Sequence, residues 1–279
     1  MSKQLIYLVS FVFVFGLMLT SAGNAVEANL VGWWKLDETS GTIAHDASGN
    51  GNDGTLKGDP VWEIGKIDGA LQLDGDGDYV DIGSVGISGI NQRTIAGWAR
   101  ASTTAIPSWT TIFGFAPDGS TEGTYFDVAV DDVGNYVVNV QGWAGVFGPV
   151  DTEWHHFAVT YTGSGGSWYL DGQYIDVSEG AVGTIDQVRI GARLEDNKFF
   201  PGLVDDVRIY NKPLTLEEIQ KIMAGSKAYS PVPADGALYK DLWVNLGWLP
   251  GNTAVSHDVY FGNNFDDVND GAGDAFQGN

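Results

Sequence analysis

Apolar and polar positions alternate with a period of two through much of this chain, in short runs broken by glycine. TIAGWAR (94–100) and YFDVAV (125–130) alternate in this way, and NYVVNV (135–140) follows a Val-Gly turn that predicts pairing back onto the second run. Residues 154–162 and 167–170 flank the glycine-rich 163–166, a hairpin signature, and Asp171-Gly172 offers a tight turn into 173–177. Two related strings, IDQVRI (185–190) and VDDVRI (204–209), both read as strands, their likeness reflecting shared strand grammar rather than a repeat unit. Frequent turns between β-branched and aromatic runs predict an all-β sandwich or barrel.

One helix interrupts this pattern. Thr215 precedes Glu218 by three residues, the spacing of a capping box, and Leu214 with Ile219 can form a hydrophobic staple around it. The helix is predicted from Leu216 to about Met223, ending near Gly225.

The ends of the chain differ in texture. Residues 1–25 read as an export signal: a short basic start at Lys3, an apolar run from Leu5 to Leu19, and small residues at 23–25. A membrane anchor is the alternative, but the run is shorter than the ~20 residues a bilayer requires. The sandwich is assigned to 27–226 and a proline-containing linker to 227–236. Residues 237–279 resemble an incomplete immunoglobulin- or fibronectin-like β module, which implies a piece of a larger protein.

Charge and composition narrow the partners. The net charge of −22 becomes about −23 once Lys3 leaves with the signal, a surface that repels nucleic acid and anionic lipid. No membrane insertion is expected after signal removal. The chain has no cysteine, which excludes thiol catalysis and thiolate metal sites, and a core of this size holds without disulfides.

Four features carry candidate chemistry. The loop HDASGNGNDGT (45–55) concentrates Asp, Asn and Gly, the residues a calcium loop uses, yet its EF-hand register fails because the twelfth position from Asp46 is Lys57. The run Asp74, Asp76, Asp78 fails the same test with Val85 at the twelfth position and reads as a solvated turn. His155 and His156 are adjacent on a strand, so they face opposite ways and cannot share an ion; His156 is expected in the core or hydrogen-bonded. Trp33, Trp34, Trp98, Trp154 and Trp168 sit in strand patterns and are assigned to packing, with at least one of Trp33 and Trp34 facing inward. Trp109 and Trp143 lie at loops or strand ends and are the ligand-facing candidates. No catalytic constellation is found: no Glu is followed two residues later by Asp, as a one-strand pair of glycosidase carboxylates requires, and no nucleophile elbow or phosphate loop occurs.

Seven strings occur in family order over about 190 residues: LVGWWKLDETSG, DASGNGNDGTL, GALQLDGDGDYVDIG, TIAGWAR, EWHHFAVTY, WYLDGQYID and GLVDDVRIYNKPLTLEEI. Together they resemble the laminin G-like, concanavalin A-like domains of secreted bacterial proteins. The resemblance implies a jelly-roll sandwich of two curved antiparallel sheets and a module without catalytic activity, some relatives binding glycans on a concave face. It also implies a structural calcium on the opposite side. Asp205, in VDDVRIY, matches the family's calcium-binding strand, and Asp46, Asn50 and Asn52 are placed to complete the site, with Asp37 as a fifth candidate. The competing reading of that loop is an Asx turn hydrogen-bonded to a strand.

The functional expectation is a secreted or cell-surface carbohydrate-binding or adhesion module with a structural calcium. Its partner is a neutral glycan or cell-surface polysaccharide. A glycan-cleaving enzyme of the same fold and a ligand-free spacer domain are the alternatives.

Overall fold

The computed structural model describes residues 28–115, 125–140, 143–180, 186–193 and 198–224, and four short strand segments at 229–232, 247–249, 259–260 and 276–278. The assigned signal segment, and the linker and second module apart from those strand segments, lie outside the described residues.

The strands run in chain order as β1 (Leu30–Trp34), β2 (Ile43–Ala44), β3 (Gly54–Lys57), β4 (Val61–Ile64), β5 (Gly69–Asp74) and β6 (Tyr79–Ser84). There follow β7 (Arg93–Ala101), β8 (Thr110–Phe115), β9 (Phe126–Val130), β10 (Asn135–Val140), β11 (Trp143–Pro149) and β12 (His155–Tyr161). The series ends with β13 (Gly165–Leu170), β14 (Gln173–Glu179), β15 (Gln187–Ile190), β16 (Ala192–Arg193), β17 (Lys198–Phe199) and β18 (Pro201–Tyr210), then helix α1 (Leu216–Met223).

Two large antiparallel sheets result. The first is ordered β14-β13-β12-β7-β18-β5-β4, with β1 also on β18; the second is β11-β10-β9-β8-β15-β6-β3-β2. The period-two pattern explains why they stack. Ile95, Phe157, Val204 and Val207 of the first sheet meet Val80, Phe113, Phe126, Val138 and Ile190 of the second in one core. Each such side chain contributes ~1.5–3 kcal/mol on burial. The alternate positions face outward on either side.

Trp34 is fully buried in this core while its neighbour Trp33 lies on the outer face, where its indole N–H meets Asp206. Gly32 makes room for the inward ring, since a Cβ there would sit 2.4 Å from it. Arg93 is also fully buried, its guanidinium 4.9 Å from the Phe115 ring centre and 5.6 Å from that of Phe126. Burial lowers its pKa to about 10, and the carbonyls of Gly89 and Asn91 accept its N–H groups.

Helix α1 is built as its sequence predicts. Thr215 caps Glu218 N–H, the Glu218 carboxylate accepts Thr215 N–H in return, and Ala224 ends the helix. Leu214, Ile219 and Ile222 pack onto Ala96, Ala158 and Tyr210 on the outer face of the first sheet.

Candidate functional site

Strand register on the second sheet brings one polar row together. Thr55 pairs with Asp81, Asp81 with Arg189, Arg189 with Gly114, Gly114 with Asp127, and Asp127 with Asn139. These residues alternate with the core positions Leu56, Val80, Ile190, Phe113, Phe126 and Val138, so the row runs across the outer face.

Asp127 is its focus. The residue is 1 % exposed, Thr111 Oγ1 donates to its Oδ2, and its Oδ1 has no hydrogen-bond partner. Gly114 permits a close approach of β9 here: a Cβ there would lie 2.3 Å from Asp127 Cβ and 2.4 Å from its Cα. Burial pushes the carboxyl up to about 7, against the opposing effects of the hydrogen bond from Thr111, the Arg193 charge and a side-chain hydrogen bond from Asn139. Arg193 lies 4.0 Å over the ring of Tyr125, and Arg189 Nε is 3.9 Å from Asp81 Oδ1. Floor residues Thr111, Asp127 and Arg189 are buried, whereas Asn139 and Asp81 at the rim are partly exposed. The arrangement offers hydrogen-bond acceptors and donors beside an aromatic ring, the mixture that orients a polar ligand.

The two aromatic candidates are not register partners in this row. Trp109 is half-buried one residue before β8 and holds φ +62°, a left-handed conformation rare for a bulky residue, fixed by its N–H bond to Val130 O. Trp143 opens the edge strand β11, opposite Val140; its side chain lies outside the described residues.

The residues proposed for calcium do not form one cluster of ligands in the structure. Asp46 Oδ1 accepts the N–H groups of Trp33 and Ser48, and its Oδ2 accepts that of Asn52. Burial raises this carboxyl and those bonds outweigh it, leaving the pKa below the ordinary value. Asn50 and Asn52 turn their amide N–H groups onto Leu30 O and Val31 O. The loop is therefore hydrogen-bonded as an Asx turn that rivets β1.

Asp205 engages a different segment. It is fully buried under the β4–β5 turn, its Oδ2 accepting the N–H groups of Lys66 and Ile67 while Oδ1 has no partner. Burial pushes it up to about 8, with the neighbouring Asp206 and Asp37 charges adding to the rise. Asp205 thus keeps one carboxylate oxygen without a partner, with Asp206 and Asp37 as the neighbouring acids. Asp206 is balanced by Arg208, 2.9 Å away, at a bulge where Asp206 takes φ +51°.

Among the described residues one carboxylate triplet lies close enough to share an ion: Asp59, Asp74 and Asp78. Asp78 departs from the expected solvated turn, because it is 2 % exposed and its oxygens accept Asp59 N–H and Asp74 N–H. The two histidines do face opposite ways. His156 is buried against Trp98, its pKa lowered to about 3 by burial and by Arg208. His155 is clamped between Asp171 and Asp151, at 2.7 and 3.1 Å.

A laminin G family model, described as the concanavalin A-like lectin/glucanases superfamily, matches residues 74–220, more than half of the chain. The chain belongs to this superfamily. Its two antiparallel sheets are the superfamily's jelly roll. Solved structures share that fold at low identity. Domain 4 of AbnA, a GH43 extracellular arabinanase from Geobacillus stearothermophilus, was solved with arabinotriose; it is 20 % identical with a TM-score of 0.58, over 70 % of this chain and 98 % of that domain. The binding domain of Paraclostridial Mosquitocidal Protein 1 is 15 % identical with a TM-score of 0.57, over 74 % of this chain and 55 % of that one. A Trypanosoma rangeli sialidase mutant displaying trans-sialidase activity is 17 % identical at a TM-score of 0.57, over 70 % of this chain; the match spans only 33 % of the sialidase. No curated protein matches the chain.

Sequence reasoning missed Asp127. The string YFDVAV shows an acid on the polar side of a strand, which is the ordinary mark of a solvated face. Only register, which sets it opposite Gly114 and Asn139, reveals a buried acceptor.

Proposed function

We propose that this chain is a secreted, non-catalytic module of a larger protein that binds a neutral carbohydrate on the outer face of its second sheet. The observation that carries the reading is the polar row across that face, whose partly exposed members Asn139 and Asp81 stand at the rim of the buried Thr111, Asp127 and Arg189. The arabinotriose complex of the AbnA domain, matched over nearly its whole length, supports a sugar as the ligand class.

Absence of hydrolysis is supported by the spacing of acids along the same row. Asp81 and Asp127 are three strands apart, ~14 Å at ~4.8 Å per strand. Carboxyl pairs that cleave glycosides stand ~5–9.5 Å apart. Arg189 and Gly114 lie between the two acids here. A calcium ion would serve this module structurally through Asp205 and Asp37, on the other sheet.

The test is a panel of neutral and anionic polysaccharides, assayed both for binding and for release of reducing ends. Binding to neutral members without new reducing ends is expected. Reducing ends released by the purified chain would make it an enzyme, and binding to none would favour the spacer reading. Trp109→Ala and Trp143→Ala, each tested for lost binding, report whether the ligand reaches beyond the row to those rings.

A further inference from the structure

We propose that the cleft at one end of the sandwich, between the β6–β7 loop and the β1–β18 pair, is a second binding site that takes a neutral, hydroxyl-rich sugar segment. The ligand class rests on the carbohydrate reading above. The place does not, because no residue of the polar row lines this cleft.

The cleft holds about 500 Å³, within the ~300–1,000 Å³ of small-molecule sites. Its lining converges from segments far apart in sequence: Val31 on β1, Val85 and Ile87 after β6, Asn91 and Gln92 before β7, and Asn211 after β18. Val85 and Ile87 belong to the buried core and Val31 packs against it, so the apolar floor is the end of the core itself. Asn91, Gln92 and Asn211 are exposed, which puts their amides within reach of a solute.

The walls are fixed before a ligand arrives. Fully buried Arg93 donates to the carbonyls of Gly89 and Asn91 and so ties down the loop that carries Asn91. Val85 N–H donates to Asp186 O at one end of that loop, and Gln92 Nε2 donates to Thr162 O at the other. On the opposite wall Val31 O accepts from Ser48, Asn50 and Asn52, and Asn211 N–H donates to Asn29 O. A site already ordered loses little conformational freedom on binding.

The lining selects the ligand. None of the described residues around the cleft is ionisable, so a sulfate, uronate or ammonium group would lose water there without gaining an opposite charge. Each side-chain amide carries both donors and an acceptor, and a hydroxyl likewise donates and accepts. Val31, Val85 and Ile87 offer the C–H groups of a sugar ring an apolar contact. No aromatic residue lines the cleft, so recognition relies on hydrogen bonds rather than stacking.

NMR titration of the full, isotope-labelled chain with neutral trisaccharides, arabinotriose among them, tests the assignment. Saturable shifts in the side-chain amide signals of Asn91, Gln92 and Asn211 are expected. Their midpoint is expected to be the same at low and high salt, since no charge pair forms. Asn91→Ala and Asn211→Ala, both at exposed positions, are each expected to weaken binding about twofold to tenfold, the loss of one hydrogen bond. Asn139→Ala, on the polar row, should leave these shifts in place. The wild-type signals decide the question on their own should a variant fail to fold. Binding that moves signals of the polar row and none of the three amides overturns the cleft site and leaves the carbohydrate reading standing. A wild type that binds no trisaccharide overturns both. Tighter binding at the three amides by a uronate or amino sugar than by its neutral counterpart overturns the ligand class.

Discussion

Replacing Asp205 by Asn isolates the contribution of one buried charge. The carboxylate has one oxygen on two backbone N–H groups and the other on nothing, with Asp206 and Asp37 nearby. Its pKa is raised to about 8, against ~3.9 in an unfolded chain. Between those values the folded protein holds a proton that the unfolded chain has released. Stability is therefore greatest below about pH 4, falls as pH rises towards 8, and is level above it. Each pH unit across that window is worth up to ~1.4 kcal/mol. Asn keeps an acceptor for Lys66 and Ile67 and has no proton to lose. In chelator, Asp205→Asn and wild type should melt together near pH 4. At pH 8 the variant should be more stable, by up to ~5.6 kcal/mol for the full four-unit window, a rise of ~2–4 °C per kcal/mol for a domain of this size. Thermal melts by circular dichroism read the difference directly. A variant less stable than wild type at pH 8 in chelator would refute the argument. Calcium added at pH 8 should raise the wild type by ~2.7 kcal/mol at a hundredfold excess over its dissociation constant, and leave Asp205→Asn unchanged. No gain for the wild type would remove calcium from this module.

Other expectations concern local devices. Asp46→Ala should cost ~1–3 kcal/mol with and without calcium, because it strips acceptors from the N–H groups of Trp33, Ser48 and Asn52; a loss seen only with calcium would restore the metal-loop reading. Thr215→Ala should lower stability by ~1 kcal/mol in denaturant titrations, as expected for a lost N-cap. The His155 imidazole, raised to about 9 chiefly by its bond to Asp171 and further by Asp151, should show that midpoint by NMR, and Asp171→Asn should bring it down. Its folded pKa lies above the unfolded value, so the stability it adds is complete below about pH 6.5 and lost as pH rises through 9.

Local features were legible in the sequence to the extent that their partners lie nearby. The Thr215–Glu218 box, the turn at Asp171-Gly172 and the pairing of 135–140 with 126–130 involve neighbours, and each appears as read. The Asp46 loop was ambiguous for a chemical reason: oxygen-rich side chains serve cations and backbone N–H groups alike, and only the positions of Trp33, Ser48 and Asn52 decide between them. Asp205 illustrates distance. Its partners Lys66 and Ile67 lie 139 and 138 residues away in sequence, so no window of the sequence contains the contact. Asp127 required both register and the missing side chain at Gly114.

The pairing of β1 with β18 has a mechanical consequence. Leu30, where the first strand begins, lies opposite Tyr210, where the last one ends, and Asn211 N–H reaches Asn29 O just outside them. The two ends of the sandwich thus lie side by side, so a force applied between Asn29 and Asn211 opens the β1–β18 ladder rung by rung from the Leu30 end instead of shearing the two strands along their length.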